Sequence, residues 1–278
     1  MKKLLLATTM LTIAAPAFAA DLGRRMPVKA PAILAPVPLF TWTGCYLGAH
    51  AGVGWGRKDF SEPDTFGDFA DPGEAIRVDT GAGFVGGGQV GCDYQLAPNW
   101  VIGIEGDFAW ADIKGDATDP FFSGKNGNPI VFHARTEWIT DVTGRFGFAW
   151  DRWLIYGKGG VAWAHDKYSI DNLTFFNGSP CFSGNTAIPC NPAGSETRTG
   201  WTAGGGIEWA FWNNWSAKIE FDHYEFGTRR VTLFDPVGDV SGPVDVKQRI
   251  EVVKFGLNYR FGWGKGKGKT PPPVVAKY

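Results

Sequence analysis

After its first residues, this chain contains no run approaching the roughly 18 uninterrupted apolar residues that a membrane-crossing helix requires, so any membrane role falls to strands. Histidine is scarce: His50, His133, His165 and His223 form no metal-ligand spacing. No Gly-x-Ser-x-Gly nucleophile elbow is present, and no Asp/His pair can be placed together in the loops, so catalysis has no sequence support. Excess positive charge is also missing. Cleavage of the leader described below would leave 25 basic against 28 acidic residues, a net charge of −3, which gives nucleic acid no footprint. The one glycine-rich fingerprint, Gly81-Ala82-Gly83-Phe84-Val85-Gly86, continues in strand alternation through Gly91 instead of opening a helix, as a dinucleotide site requires. No cofactor is expected.

What the chain does carry is glycine and aromatic residues: 39 Gly, 13 Trp and 21 Phe among 278 residues. Lys2 and Lys3, the apolar run Leu4 to Ala15 and the Ala17-Phe18-Ala19 site read as an export signal over residues 1–19. Residues 20–43, with Pro27, Pro31, Pro36 and Pro38, read as a semi-rigid linker. From Gly44 to Phe261 eight segments alternate with period two. They fall at about 44–58, 80–96, 100–113, 133–150, 153–166, 199–211, 215–226 and 248–261, with long loops and short turns in alternation.

Two features select a lipid-facing barrel over a soluble one. Trp100 and Trp110, Trp153 and Trp163, and Trp201 and Phe211 lie ten residues apart on one face, and Trp55 ten after Cys45. Ten residues of tilted strand rise roughly 25 Å, the height of an outer-membrane apolar band with aromatic rims. Trp138, Trp150 and Trp215 complete the expected girdles. The opposite face carries Glu105, Asp107, Arg145, Lys158, Glu208, Lys218, Glu220, Asp222, Lys254 and Arg260. These are expected to pair across a lumen that eight strands leave just wide enough for side chains. In the fourth segment Glu137 and Asp141 are placed on that same inner face. The fold expected is all-β: an eight-stranded antiparallel transmembrane up-and-down β-barrel.

Trp42-Thr43-Gly44-x-Tyr46-x-Gly48, Gly86-Gly87-Gly88-Gln89-Val90-Gly91, Ile104-Glu105-Gly106-Asp107, Gly144-Arg145-x-Gly147, Asp151-Arg152-Trp153, Gly200-Trp201-Thr202 and Gly256-Leu257-Asn258-Tyr259-Arg260-Phe261 carry a resemblance. From Trp42 to Phe261 the chain resembles the outer-membrane immunogenic, porin-like small barrels of Gram-negative bacteria. That resemblance implies residence in the outer membrane and a final strand read by the barrel-assembly machinery through Lys254, Gly256, Tyr259 and Phe261. In this chain Phe261 is followed by Gly262 to Tyr278, a basic, proline-containing tail whose charge and reach motivate contact with the cell wall. The function expected is structural and surface-presenting. A narrow solute channel, or haemin or host-ligand binding through the loops, is the alternative, and no signal bears on oligomeric state.

Four cysteines in an exported chain allow three pairings. Cys181 and Cys190 share one loop and are expected to pair, leaving Cys45 with Cys92 near the same ends of adjacent strands. Two free thiols replacing girdle residues are the competing reading of Cys45 and Cys92.

Overall fold

The computed structural model describes residues 40–61, 75–123, 129–172, 181–183, 186–188, 190–235 and 240–261. The export signal, most of the linker and the tail after Phe261 lie outside the described residues. Among the described residues there are ten strands: β1 (Gly44–Ser61), β2 (Ala75–Gln95), β3 (Trp100–Ser123), β4 (Pro129–Trp150), β5 (Trp153–Asp171), β6 (Cys181–Ser183), β7 (Thr186–Ile188), β8 (Ala193–Trp209), β9 (Trp215–Asp235) and β10 (Val240–Phe261). Eight of them close an antiparallel barrel in the order β1-β10-β9-β8-β5-β4-β3-β2, and β6 and β7 form a separate hairpin in the β5–β8 connection.

Closure comes from β1 pairing with β10 from Cys45↔Phe261 to Ser61↔Asp245, so that each of the eight strands has a partner on both sides between the aromatic rims. At one end the connections are tight. Trp150 pairs directly with Trp153 across Asp151-Arg152, and Asp151 adopts a φ of 52°, a left-handed turn conformation that aspartate tolerates.

All eight barrel strands start or end beyond the expected limits at the long-loop end. β1 and β5 run six and eight residues past Trp55 and Trp163, adding roughly 15–20 Å of tilted barrel. The cause is an inversion of polarity. Between the aromatic rims, outward side chains such as Val53, Ile104, Val142 and Phe255 are apolar and exposed, while inward ones are polar. Above the rim, beyond one buried polar cluster around Lys58 and Asp166, inward residues become apolar, with Phe60, Val78, Ile130, Phe132, Ile170, Val231 and Val246 forming one buried cluster. The outward residues there become charged.

Register shifts accompany the change at Gly54/Gly56, Trp110/Ile113, Thr136/Trp138 and Gln248/Arg249. A bulge inserts an extra residue and re-aims side chains. In β4 this moves Glu137 off the expected inner face and turns it outward beside Trp138, where it binds Lys167 at 2.8 Å. Asp141, after the bulge, does face inward and is buried.

Candidate functional site

Inward parity in the lower barrel brings charged side chains from β2, β3, β4, β5, β8, β9 and β10 into one buried network. All ten charges read from the sequence are in it. Glu105 (β3) takes Lys218 (β9) at 3.0 Å, Lys158 (β5) at 3.4 Å and Arg145 (β4) at 3.5 Å. Glu220 holds Lys158 at 2.7 Å, Lys218 at 3.1 Å and Lys254 at 3.2 Å. Glu208 joins Arg145 and Arg260, each at 2.8 Å. Lys254 continues to Asp222 at 3.0 Å and Asp107 at 3.1 Å.

Asp93 and Asp141 extend the network. Its five cations therefore meet seven carboxylates, and neutral donors make up the difference. Tyr46 donates to Glu105 at 2.7 Å, Asn258 to Glu208 at 3.0 Å and Tyr224 to Asp141 at 2.9 Å. A buried charge persists only when paired and hydrogen-bonded, which is why hydroxyl and amide groups are interleaved here. Gln89 donates to Asn258 at 2.8 Å across Gly48, which stands between them in register with both. A side chain at Gly48 would run into both amides, so this glycine is the gap through which the bond passes.

Three apolar layers and one further polar layer complete the filling. At the tight-turn end Trp42 is fully buried against Leu154, Val101 and Ala149. Its Nε1 donates to the Asp151 carbonyl at 3.3 Å, and the Arg260 guanidinium lies 4.5 Å from its ring centre. Above the central network Val85, Ile113, Ile139, Phe226, Ile250 and Val252 form an apolar layer. Above that lies an ion cluster in which Lys58 meets Asp166 at 2.6 Å and Arg198 meets the same carboxylate at 3.6 Å. Burial pulls the Lys58 ammonium below its usual range against the opposing pull of Asp166. The apolar cluster around Phe60 then fills the top.

Sequence reading passed over Trp42, assigned to the linker, and the Lys58–Asp166–Arg198 cluster. The second was accessible by extending parity: Lys58 shares the face of Tyr46 and His50, Asp166 that of Lys158, and Arg198 that of Thr202 and Glu208.

The girdle residues all point outward. Trp100, Trp150, Trp153, Phe211 and Trp215 stand at the tight-turn end, Trp55, Trp110, Trp138, Trp163 and Trp201 at the other. Trp153 stacks on Trp209, and Trp138 on His165. Of the four residues assigned to the assembly signal, Lys254 and Gly256 face the lumen, with Gly256 close against Lys218 and Gln89. Tyr259 and Phe261 face outward, and Tyr259 packs edge-on to Trp215.

Cys45 and Cys92 are directly opposed on β1 and β2 and are joined by a disulfide. Cys190 is buried and also disulfide-bonded. The side chain of Cys181 lies outside the described residues.

Comparison with known proteins accords with this geometry. A family model described as the outer membrane protein beta-barrel domain matches residues 5–261. The chain is 33% identical over 265 residues to the 31 kDa outer-membrane immunogenic protein of Brucella melitensis, covering 94% of this chain and all of that one. It is 24% identical over 262 residues to the 25 kDa outer-membrane immunogenic protein of Brucella abortus, covering 92% and 96% of the two chains. Among solved structures, the outer membrane protease OmpT of Escherichia coli superposes with a TM-score of 0.50 at 10% identity, covering 81% of this chain and 99% of that one. At that identity the likeness is one of fold alone.

Proposed function

Because this chain belongs to the outer membrane protein β-barrel family and resides in the outer membrane, we propose that it serves there as a closed structural barrel that presents loops at the cell surface and has no enzymatic role. The observation that carries the reading is the filled lumen. Ion-paired and apolar layers alternate from Trp42 to Phe60, and all the network charges are buried. A wide aqueous path needs a hydrated interior, and stacked apolar layers oppose one. The channel alternative is weakened on the same ground.

Within this reading the final strand is the segment that the barrel-assembly machinery reads, with outward Tyr259 and Phe261 available for recognition. The tail beyond Phe261 is assigned to contact with the cell wall. Retention of a tail-deleted protein on isolated cell wall, undiminished, would remove that second assignment.

Planar-bilayer recording of refolded protein tests the main proposal. A flat trace across the voltage range is expected. A stable conductance that falls with solute size would overturn the closed-barrel reading and favour the channel.

A further inference from the structure

Just above the outer aromatic rim, the outward face carries a belt of charged residues, and around most of it opposed residues carry opposite signs. Arg57 faces Asp79 at 2.9 Å, Asp59 faces Arg77 at 2.9 Å, Glu225 faces Arg249 at 2.7 Å and Arg230 faces Asp245 at 2.9 Å. Arg57 and Arg249 also oppose each other, but each is flanked in the same row by its own carboxylate, so that row is neutral. Opposite charges across strands stabilise a sheet and like charges do the reverse.

One row departs from the pattern. Lys114 on β3 is directly opposite Arg135 on β4, Arg135 is opposite Lys167 on β5, and Lys167 is opposite Ser195 on β8. Three cations stand abreast with a hydroxyl at the end and no acid in the row. Their carboxylates lie one row nearer the membrane and are two for three: Asp112 is shared by Lys114 at 3.0 Å and Arg135 at 3.1 Å, and Glu137 serves Lys167. In the row above, Asp116 faces and binds His133, which also reaches Asp171 one row higher. The cationic side chains remain about half exposed. Together with His133, Ser169, Ser195 and Asp116, whose carboxylate is engaged by His133, they line an open groove of about 630 Å³.

The location identifies the occupant. Trp110 and Trp163 lie four residues below Lys114 and Lys167 on the same strands, and Trp138 three below Arg135. Four residues of tilted strand rise roughly 10 Å, which places the row at the headgroup layer with the apolar band directly beneath. Long cationic side chains reach back toward such a layer, and a guanidinium between two ammonium groups suits phosphate oxygens. We propose that the Lys114–Arg135–Lys167 row is a docking site for the phosphate-bearing headgroup of an outer-leaflet lipid, whose acyl chains lie along Trp110, Trp138 and Trp163. The phosphate supplies the negative charge that this row lacks, whereas the rows through Arg57, Asp59 and Asp245 each carry a carboxylate of their own.

The test uses full-length protein refolded in zwitterionic phosphocholine micelles, with bound lipid counted by native mass spectrometry. The probes are lipid A, the same lipid after removal of its phosphates, and inorganic phosphate. Wild type is expected to bind lipid A roughly tenfold or more tightly than its dephosphorylated form. K114Q/R135Q/K167Q should lose that preference, R57Q/R249Q should keep it, and Glu137→Gln, which releases Lys167, should strengthen it. If the triple variant fails to fold, Arg135→Gln alone carries the test with a partial loss of several-fold. Equal binding of both lipids by wild type, or an undiminished preference in the folded triple variant, would overturn the proposal. Equal loss in R57Q/R249Q would reduce it to general charge attraction, and complete displacement by millimolar inorganic phosphate would make it a free-anion site.

Discussion

Lys218 Nζ sits 3.1 and 3.0 Å from the two carboxylate oxygens of Glu105, and both side chains are closed off from solvent. The same ammonium reaches Glu220 at 3.1 Å, so one cation is shared between two buried acids. Removing one partner of such a group leaves charge uncompensated in a low-dielectric interior. Lys218→Met is therefore expected to destabilise the barrel by about 3–5 kcal/mol. Reversible urea unfolding in lipid vesicles checks this. In E105Q/K218M, which removes a charge of each sign, the loss should be smaller than in the single variant, and an equal or larger loss would contradict the pairing.

Gly48→Ala tests the lumen in a different way. The added methyl meets the Gln89 and Asn258 amides that bond across this position, and the Leu257 carbonyl beside them. Overpacking of this kind costs about 1–3 kcal/mol. The effect should shrink when Gln89 is shortened to Ala in the same chain, and strict additivity of the two substitutions would refute the steric account.

The upper apolar cluster makes its own contribution. Phe60 lies 5.6 Å from Phe132 and 5.7 Å from Tyr168 between ring centres. Phe60→Ala is expected to cost about 3–5 kcal/mol. The damage should be confined to the section above the rim, with faster amide exchange in β1 and β4 near Phe132 and protection unchanged around Glu105. Uniform loosening of both sections would show that they do not hold separately.

How far this architecture was legible depended on depth. Between the rims the alternation is uninterrupted, and each inward charge shares parity with its neighbours, as Lys218, Glu220 and Asp222 do on β9. Above the rim the polarity of the two faces exchanges, so a search for apolar residues on the outward parity ends where the strands do not. The bulge at Thr136/Trp138 then hides the orientation of Glu137, because one extra residue reverses parity and no residue type announces it. Trp42 was opaque for another reason. It precedes the first alternating segment, and its burial comes from Arg260 and Leu154, which are distant in sequence. The like-charged row was invisible until register placed Lys114, Arg135 and Lys167 side by side.

The belt also titrates. Hydrogen bonding to Lys167 draws the Glu137 carboxyl below its ordinary value, and Lys114 does the same for Asp112. A depressed carboxylate contributes stability that is present above the unfolded-state pKa and disappears as pH falls through the folded one. Amide exchange in the outer parts of β3, β4 and β5 should therefore accelerate as pH drops from about 5 to below about 3, after correction for intrinsic rates. E137Q/D112N should remove that acceleration. High salt should mimic part of it, since these groups are exposed.

The Cys45–Cys92 bridge joins residues 47 positions apart on neighbouring strands. By chain entropy, a loop of that length is worth about 4 kcal/mol. C45A/C92A should lower the urea midpoint accordingly, and peptide mapping without reductant should recover the two cysteines linked. Alkylation of either thiol in unreduced protein would rule the bridge out.

The inversion of polarity along a single ring of strands bears on how such a surface can vary. The protruding section carries a water-excluding centre of its own, Phe60 to Val246, built from barrel-strand residues with Cys190 and Ile188 of the β5–β8 connection added, so the connecting segments rest on a foundation that draws little on their composition. Loops can lengthen, shorten or exchange residues while the frame beneath keeps its shape, and a surface exposed to recognition is thereby free to change without endangering the envelope that carries it.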